Sequence, residues 1–327
     1  MKKLIKRGFA ALLALTLALG MSVSAFAVDG TAVAKKDYQL TNPGYESPAE
    51  TFQFTVEKEG VTDATNPDGT AVTTEQMPNL TITPVSYEKG GAGSANSKQD
   101  LVVKPDKDFP SVGVYTYTVT ETDGKTAGVT YNKEKLELKA TVFHDAATGA
   151  LKVAYAFRVD GNKETNIVNT YTAGGLRVGK HVSGNLGNKE QKFNINVTFT
   201  APEGQTVRST ITYGDNQTIT PEMMKDGSYT VQISLADGQT MLFQNVPYGV
   251  KYNVVEDEYE GYTTTYGIDA NGTIGEKSKI QAAAVYNDKE GSVDTGVILH
   301  SAPYVLLLVG VGAAAVAFLI LRKHREV

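Results

Sequence analysis

The chain has no cysteine and no tryptophan among its 327 residues, and only four histidines. Without cysteine there can be no disulfide, no thiolate metal site, no cysteine nucleophile and no lipid-modified N-terminal cysteine. His144, His181, His300 and His324 are scattered, with no HxxxH or HExxH spacing, so the pattern of a zinc hydrolase is missing. Neither GxSxG nor a phosphate-binding glycine loop occurs, and GGAG (Gly90 to Gly93) reads as a turn. Basic charge is not in excess, with 31 Lys and Arg against 36 Asp and Glu and a net charge of -5. That balance disfavours a nucleic-acid partner. DANGT, from Asp269, has oxygen ligands at calcium-like spacing but lacks the rest of an EF-hand loop, and reads as a hairpin turn. The sequence therefore carries no enzyme signature, no metal site and no cofactor site.

What is present is tyrosine, 17 in all, and much threonine, the composition of half-buried strands. The length suits two domains plus terminal segments. Lys2, Lys3, Lys6 and Arg7 precede the apolar run FAALLALTLALG, and small residues follow at Ala25 and Ala27. This is the layout of a secretory signal peptide, residues 1–27, cut after Ala27. Near the other end, Ala302 to Leu321 forms an uncharged apolar run long enough to cross a bilayer. Arg322, Lys323, His324 and Arg325 follow it and would hold the tail inside the cell. The expected location is outside the membrane, anchored at the C-terminus.

Between these ends the pattern is that of strands. TFQFTVE, NLTITPVSY, VYTYTVTE, KLELKATVFH and LKVAYAFRV are separated by NPDG, GGAGS and ATGA. The second half continues with KFNINVTFT, YTVQISL and YTTTYGI, broken at APEG, ADGQ and DANG. Short strands at regular spacing predict an all-β protein of two tandem immunoglobulin-like β-sandwich domains, 28–172 and 173–290, divided at TAGG.

The halves share an order of features: a strand with lysine, then FxF or FxIxV, then YxVxE, then a closing strand with asparagine. In the first these are AKKDY, FQFTV, YTVTE and IVNTY; in the second GKHV, FNINV, YNVVE and AVYND. Two copies make an internal repeat. Strand alternation puts Glu121 on the row of Tyr117 and Val119, and Glu256 on the row of Tyr252 and Val254. A carboxylate on a core-facing row costs several kcal/mol unless it is paired or protonated.

If the first and last strands of each half lie side by side, those residues have a use. Burial strips the lysine of its charge, and the free amine can attack the asparagine side-chain amide, expelling ammonia and leaving a Lys–Asn isopeptide bond. A glutamic acid kept neutral by its surroundings can polarise the amide oxygen and move protons. The expected triplets are Lys36, Glu121 and Asn169, and Lys180, Glu256 and Asn287. Lys35 is the rival of Lys36; aligning KDY with KHV favours Lys36, because Lys180 shares a face with Val178 and Val182.

On these motifs the chain resembles the Gram-positive major pilin subunits. Through KKDY, ESPAETFQFTV, SVGVYTYTVTE and IVNTY, the first half is similar to an FctA-type pilin domain. Through VGKHVSGNLG, VPYGVKYNVVE and VYND, the other half is similar to a Cna protein B-type domain. The resemblance implies that lysine and asparagine become the crosslink and glutamate drives its formation. It also gives SVDTG (Ser292 to Gly296) a meaning, as a sortase sorting signal in residues 291–296 ahead of a membrane span and basic tail in 297–327. A transpeptidase would cut between Thr295 and Gly296, although Ser and Val stand where the usual LPxTG form has Leu and Pro. The expected partners are then a sortase, identical subunits in a covalent polymer, and peptidoglycan or its precursor, with a host surface ligand as a further one. Lys163 and Lys104 are candidate acceptor lysines. The expected product is a cell-wall-anchored pilus shaft subunit that is not an enzyme; the competing readings are a non-polymerised wall-anchored adhesin and a hydrolase or carbohydrate-binding module on a β scaffold.

Overall fold

The computed structural model describes Ala27, Val28, residues 32–267 and residues 269–291. The segment before Ala27, the SVDTG motif with Thr295 and Gly296, and the apolar run Ala302 to Leu321 lie outside the described residues. Among the described residues no helix is long and apolar enough to cross a membrane. The protein is all-β, relieved in the described part by one 3-10 turn at Thr74–Gln76. The chain divides into two units, the first ending at Thr172 and the second starting at Ala173.

In the first unit, one sheet runs Ala27–Val28, Leu151–Val159, Leu136–His144, Gly113–Glu121, Phe54–Thr62, with Asn162–Glu164 paired to Leu151–Val159. The other runs Leu80–Ile82, Lys98–Pro105, Ala32–Leu40, Asn166–Tyr171, Val129–Thr130. A small ribbon pairs Glu50–Phe52 with Val85–Tyr87. Alternation decides which side chains make the core: Tyr115, Tyr117 and Val119 are buried on one strand, Leu136, Leu138, Ala140 and Val142 on its neighbour. Each such side chain contributes roughly 1.5–3 kcal/mol by leaving water.

In the second unit, one sheet runs Gln217–Ile219, Ile211–Tyr213, Thr240–Pro247, Ala173–Ser183, Ile280–Asp288, Thr263–Tyr266. The other runs Ser228–Leu235, Phe193–Thr200, Lys251–Glu256, Asn271–Thr273. Phe193, Ile195, Val197 and Phe199 form its buried row, with Tyr252 and Val254 beside them. The DANGT segment supplies the short strand Asn271–Thr273, and Asp269 pairs with Lys277.

TAGG was expected to divide the halves ahead of a fresh strand; the two units part between its Thr172 and Ala173, and the strand begins at Ala173 rather than at Leu176. Ala173–Ser183 already includes both glycines, with a bulge between Gly174 and Gly175. A Cβ on Gly174 would stand 2.3 Å from the Lys279 carbonyl oxygen, and one on Gly175 2.7 Å from that of Phe243. These glycines serve close backbone approach rather than flexibility.

In both units the first long strand pairs in parallel with the last strand. Ala32–Leu40 lies against Asn166–Tyr171, and Ala173–Ser183 against Ile280–Asp288. The closing strand is therefore locked beside the opening one, and side chains from both face the opposite sheet.

Candidate functional site

The registers of the two parallel pairs coincide. Lys36 stands opposite Ile167 and Tyr38 opposite Asn169; Lys180 stands opposite Val285 and Val182 opposite Asn287. Lysine and asparagine are thus diagonal neighbours, two positions apart on one face, in each unit. The glutamates arrive from the facing sheet, at the ends of Gly113–Glu121 and Lys251–Glu256. Their ladder partners are Phe54 and Ile195, the third residues of FQF and FNI.

The structure brings together all three residues of each expected triplet. In the first unit Lys36 Nζ donates to Glu121 Oε2 at 2.7 Å, and Asn169 Nδ2 donates to Glu121 Oε1. In the second, Lys180 Nζ forms an ion pair with Glu256 Oε2 at 2.7 Å. Asn287 Nδ2 donates to Glu256 Oε1 at 2.5 Å, an oxygen that also accepts the Thr264 hydroxyl at 3.4 Å. Both lysine side chains are wholly buried. Lys35, by contrast, turns outward and pairs with the exposed Asp100.

Aromatic walls keep water from the nitrogens. Lys36 Nζ lies 4.7 Å from the ring centre of Phe52 and 5.7 Å from that of Phe54. Phe52 is packed by Tyr38, Tyr87 and Tyr131. Lys180 Nζ lies 4.4 Å from the ring centre of Phe193, which meets Tyr259 and Tyr262 edge-on. Burial dominates the titration that results. It pushes the Lys36 ammonium down to about 8 against the opposing pull of Glu121, and it raises the Glu121 carboxyl against the opposing pull of Lys36. Lys180 is likewise lowered by burial, with Glu256 opposing. In the first unit Lys36 and Glu121 both move towards their neutral forms, which is what the attack of an amine on an amide requires.

Two features of the site were not foreseen from the sequence. Each carboxyl lies against the amide nitrogen of its asparagine, not against the amide oxygen. In the first unit that oxygen is met instead by the backbone N–H of Asn132, at 2.9 Å. No side-chain pattern could have signalled it, since every residue but proline carries the donor.

The other expected positions fall on the surface or outside the described residues. Lys163 is exposed on Asn162–Glu164, and Lys104 is exposed on Lys98–Pro105. Thr295 and Gly296 belong to the second group.

Residues 32–172 match the family described as the Spy0128-like isopeptide containing domain, and residues 174–289 match a domain of unknown function, DUF7601. A protein named pilin from Streptococcus pyogenes serotype M1 is 30% identical over 306 residues, spanning 85% of this chain and 87% of the relative. Among solved structures, the major pilin from Streptococcus pyogenes superposes with a TM-score of 0.52 at 23% identity, over 81% of this chain and all of that one. The T3.2 major pilin of the same species gives a TM-score of 0.52 at 19% identity, over 82% of this chain and all of its own. The chain belongs to the pilins, the family of that Streptococcus pyogenes relative.

Proposed function

We propose that each unit of this pilus shaft subunit staples itself, joining Lys36 to Asn169 in the first and Lys180 to Asn287 in the second. Glu121 and Glu256 are the residues that promote the reaction. The observation that carries the reading is the recurrence of one arrangement in two units: a buried lysine, a buried asparagine two positions along a parallel partner, and a buried carboxyl bridging their nitrogens.

The chemistry balances without a cofactor. The neutral amine forms a bond to the asparagine Cγ, the bond from Cγ to Nδ2 breaks, and Nδ2 leaves as ammonia. The carboxyl takes a proton from the attacking nitrogen on one oxygen and delivers one to the leaving nitrogen from the other, ending as it began.

Mechanical consequence follows from position. Tension between the ends of the second unit crosses the bond from Lys180 to Asn287. The residues between that lysine and its asparagine carry none of it. Each bond closes a loop of more than a hundred residues, worth about 5 kcal/mol by the chain-entropy estimate used for crosslinks. Unlike a disulfide, it is indifferent to reductants, which suits a chain without cysteine.

The same proposal covers assembly. The chain is exported with cleavage after Ala27 and held by its C-terminal apolar run. A sortase then cuts SVDTG between Thr295 and Gly296 and joins the Thr295 carbonyl to an amine. Lys163 or Lys104 of another subunit serves as acceptor within the polymer, and peptidoglycan or its precursor at the base. Cells displaying the protein should then yield a ladder of high-mass species that survives boiling in detergent and collapses when Thr295 is altered. A single band would leave a non-polymerised wall-anchored protein.

A further inference from the structure

We propose that the backbone N–H of Asn132 is the oxyanion donor of the first unit's crosslinking reaction. The inference rests on the isopeptide reading above and adds a group to it. When Lys36 Nζ attacks Cγ of Asn169, the electron pair of the carbonyl moves onto Oδ1, and something must receive that charge. Glu121 is occupied elsewhere: Oε2 accepts from Lys36 Nζ at 2.7 Å and Oε1 accepts from Asn169 Nδ2. Its place is between the nucleophile and the leaving group.

The Asn132 N–H stands 2.9 Å from Oδ1, within the range at which such donors act, on an asparagine only 1% exposed. The orientation of the Asn169 amide is fixed by its surroundings. Turning it over would set its NH2 against the N–H of Asn132.

The donor is held from both sides. Val129–Thr130 pairs with the far edge of the closing strand, Thr130 opposite Thr170 and Val129 opposite Tyr171. The Tyr131 ring packs on Phe52, and the Asn132 side chain accepts the Glu134 N–H at 2.8 Å, closing a local turn. A preset donor of this kind needs no rearrangement as charge develops.

The reaction then has an assigned place for every atom. Nζ binds Cγ while the carbonyl pair rests on Oδ1 under the Asn132 N–H. Nζ gives a proton to Glu121 Oε2, Oε1 gives one to Nδ2, the pair returns from Oδ1 to re-form the carbonyl, and ammonia departs. The second unit lacks this device among the described residues, where Asn287 Oδ1 accepts no hydrogen bond.

The test removes one N–H and leaves the side chain alone. The full chain is translated in vitro with the α-hydroxy acid counterpart of asparagine at position 132, which puts an ester oxygen where the N–H was. Samples are quenched over time, and joined and unjoined peptides of each unit are counted by mass spectrometry in the protease-resistant fraction. The ester should slow the first bond by roughly a hundredfold or more while the second forms on its usual course. An unchanged first-unit rate in the ester chain refutes the proposal. Absence of the first bond from the unmodified chain refutes instead the isopeptide reading beneath it. A second measurement needs no ester: in the Lys36→Met chain, which cannot close the first bond, the Asn132 amide proton should exchange slowly, and adding Asn169→Ala should release it. Fast exchange in Lys36→Met alone also refutes the assignment.

Discussion

The two units place the same three residues in the same register, yet they surround them differently. In the first, two phenylalanine rings stand near the lysine nitrogen, and the asparagine oxygen has a backbone donor. In the second, Phe193 stands over the nitrogen, and the asparagine oxygen accepts nothing among the described residues. The Glu256 backbone N–H is instead tied to the hydroxyl of Tyr266 at 3.0 Å. What recurs is the minimum the chemistry needs: a desolvated amine, an amide within reach and a carboxyl bridging both nitrogens. What varies is the tuning, and it varies in residues outside the triplet.

The comparison can be broken most forcefully at the carboxyls. Glu121→Ala should lose the first bond and keep the second, and Glu256→Ala the reverse, so each variant shows a mass deficit of one ammonia. The unbonded unit should lose about 5 kcal/mol, a fall in melting temperature on the order of 15 °C, and become open to proteases. A bond that still forms in either variant would remove that glutamate from its role.

A smaller effect is expected from pH, and only where a bond is missing. In Asn169→Ala, Lys36 remains an amine with a folded pKa of about 8 against 10.5 unfolded. Between those values the unfolded chain binds more protons, so stability should climb as pH rises from about 8 to about 10.5, by on the order of 3 kcal/mol, and not change through this group below 8. Denaturant melts of Asn169→Ala should show the climb, and Lys36→Met Asn169→Ala should lack it. A climb of the same size in both would assign it to other groups.

The smallest effect sharpens the difference between units. Tyr266→Phe removes the acceptor of the Glu256 N–H, on a side chain 42% exposed, so water can replace it. The second unit should lose at most about 1 kcal/mol and the first should be unaffected, as read by the melting of each unit in a chain with both bonds formed.

Much of this was legible in the sequence, for physical reasons. Period-two alternation placed Glu121 and Glu256 on core-facing rows, and a buried carboxyl demands an explanation strongly enough to lead to its partners. The repeat of FQF and FNI was visible in the sequence, but that Phe52 and Phe193 stand over the lysine nitrogens was not, because periodicity does not say which ring covers which atom. Lys36 could be preferred over Lys35 by comparing the two copies, and the structure turns Lys36 inward and Lys35 outward. The Asn132 donor was not legible, because a backbone N–H leaves no mark in residue type. The bond from each carboxyl to the amide nitrogen also escaped, since sequence gives proximity but not the rotation of an amide. TAGG was read as lying ahead of the strand, whereas its glycines belong to it, because glycine suits both a break and a close strand contact and only the neighbouring Lys279 and Phe243 carbonyls decide between them.

The central claim is that both units are covalently closed, and the most direct measurement is the intact mass of the recombinant ectodomain, Val28 to Glu290, under denaturing conditions. A mass lower than the sequence by two ammonia molecules, with peptide fragments joining Lys36 to Asn169 and Lys180 to Asn287, is the predicted result. A mass equal to that of the sequence would contradict it and leave two sandwiches held by noncovalent packing alone.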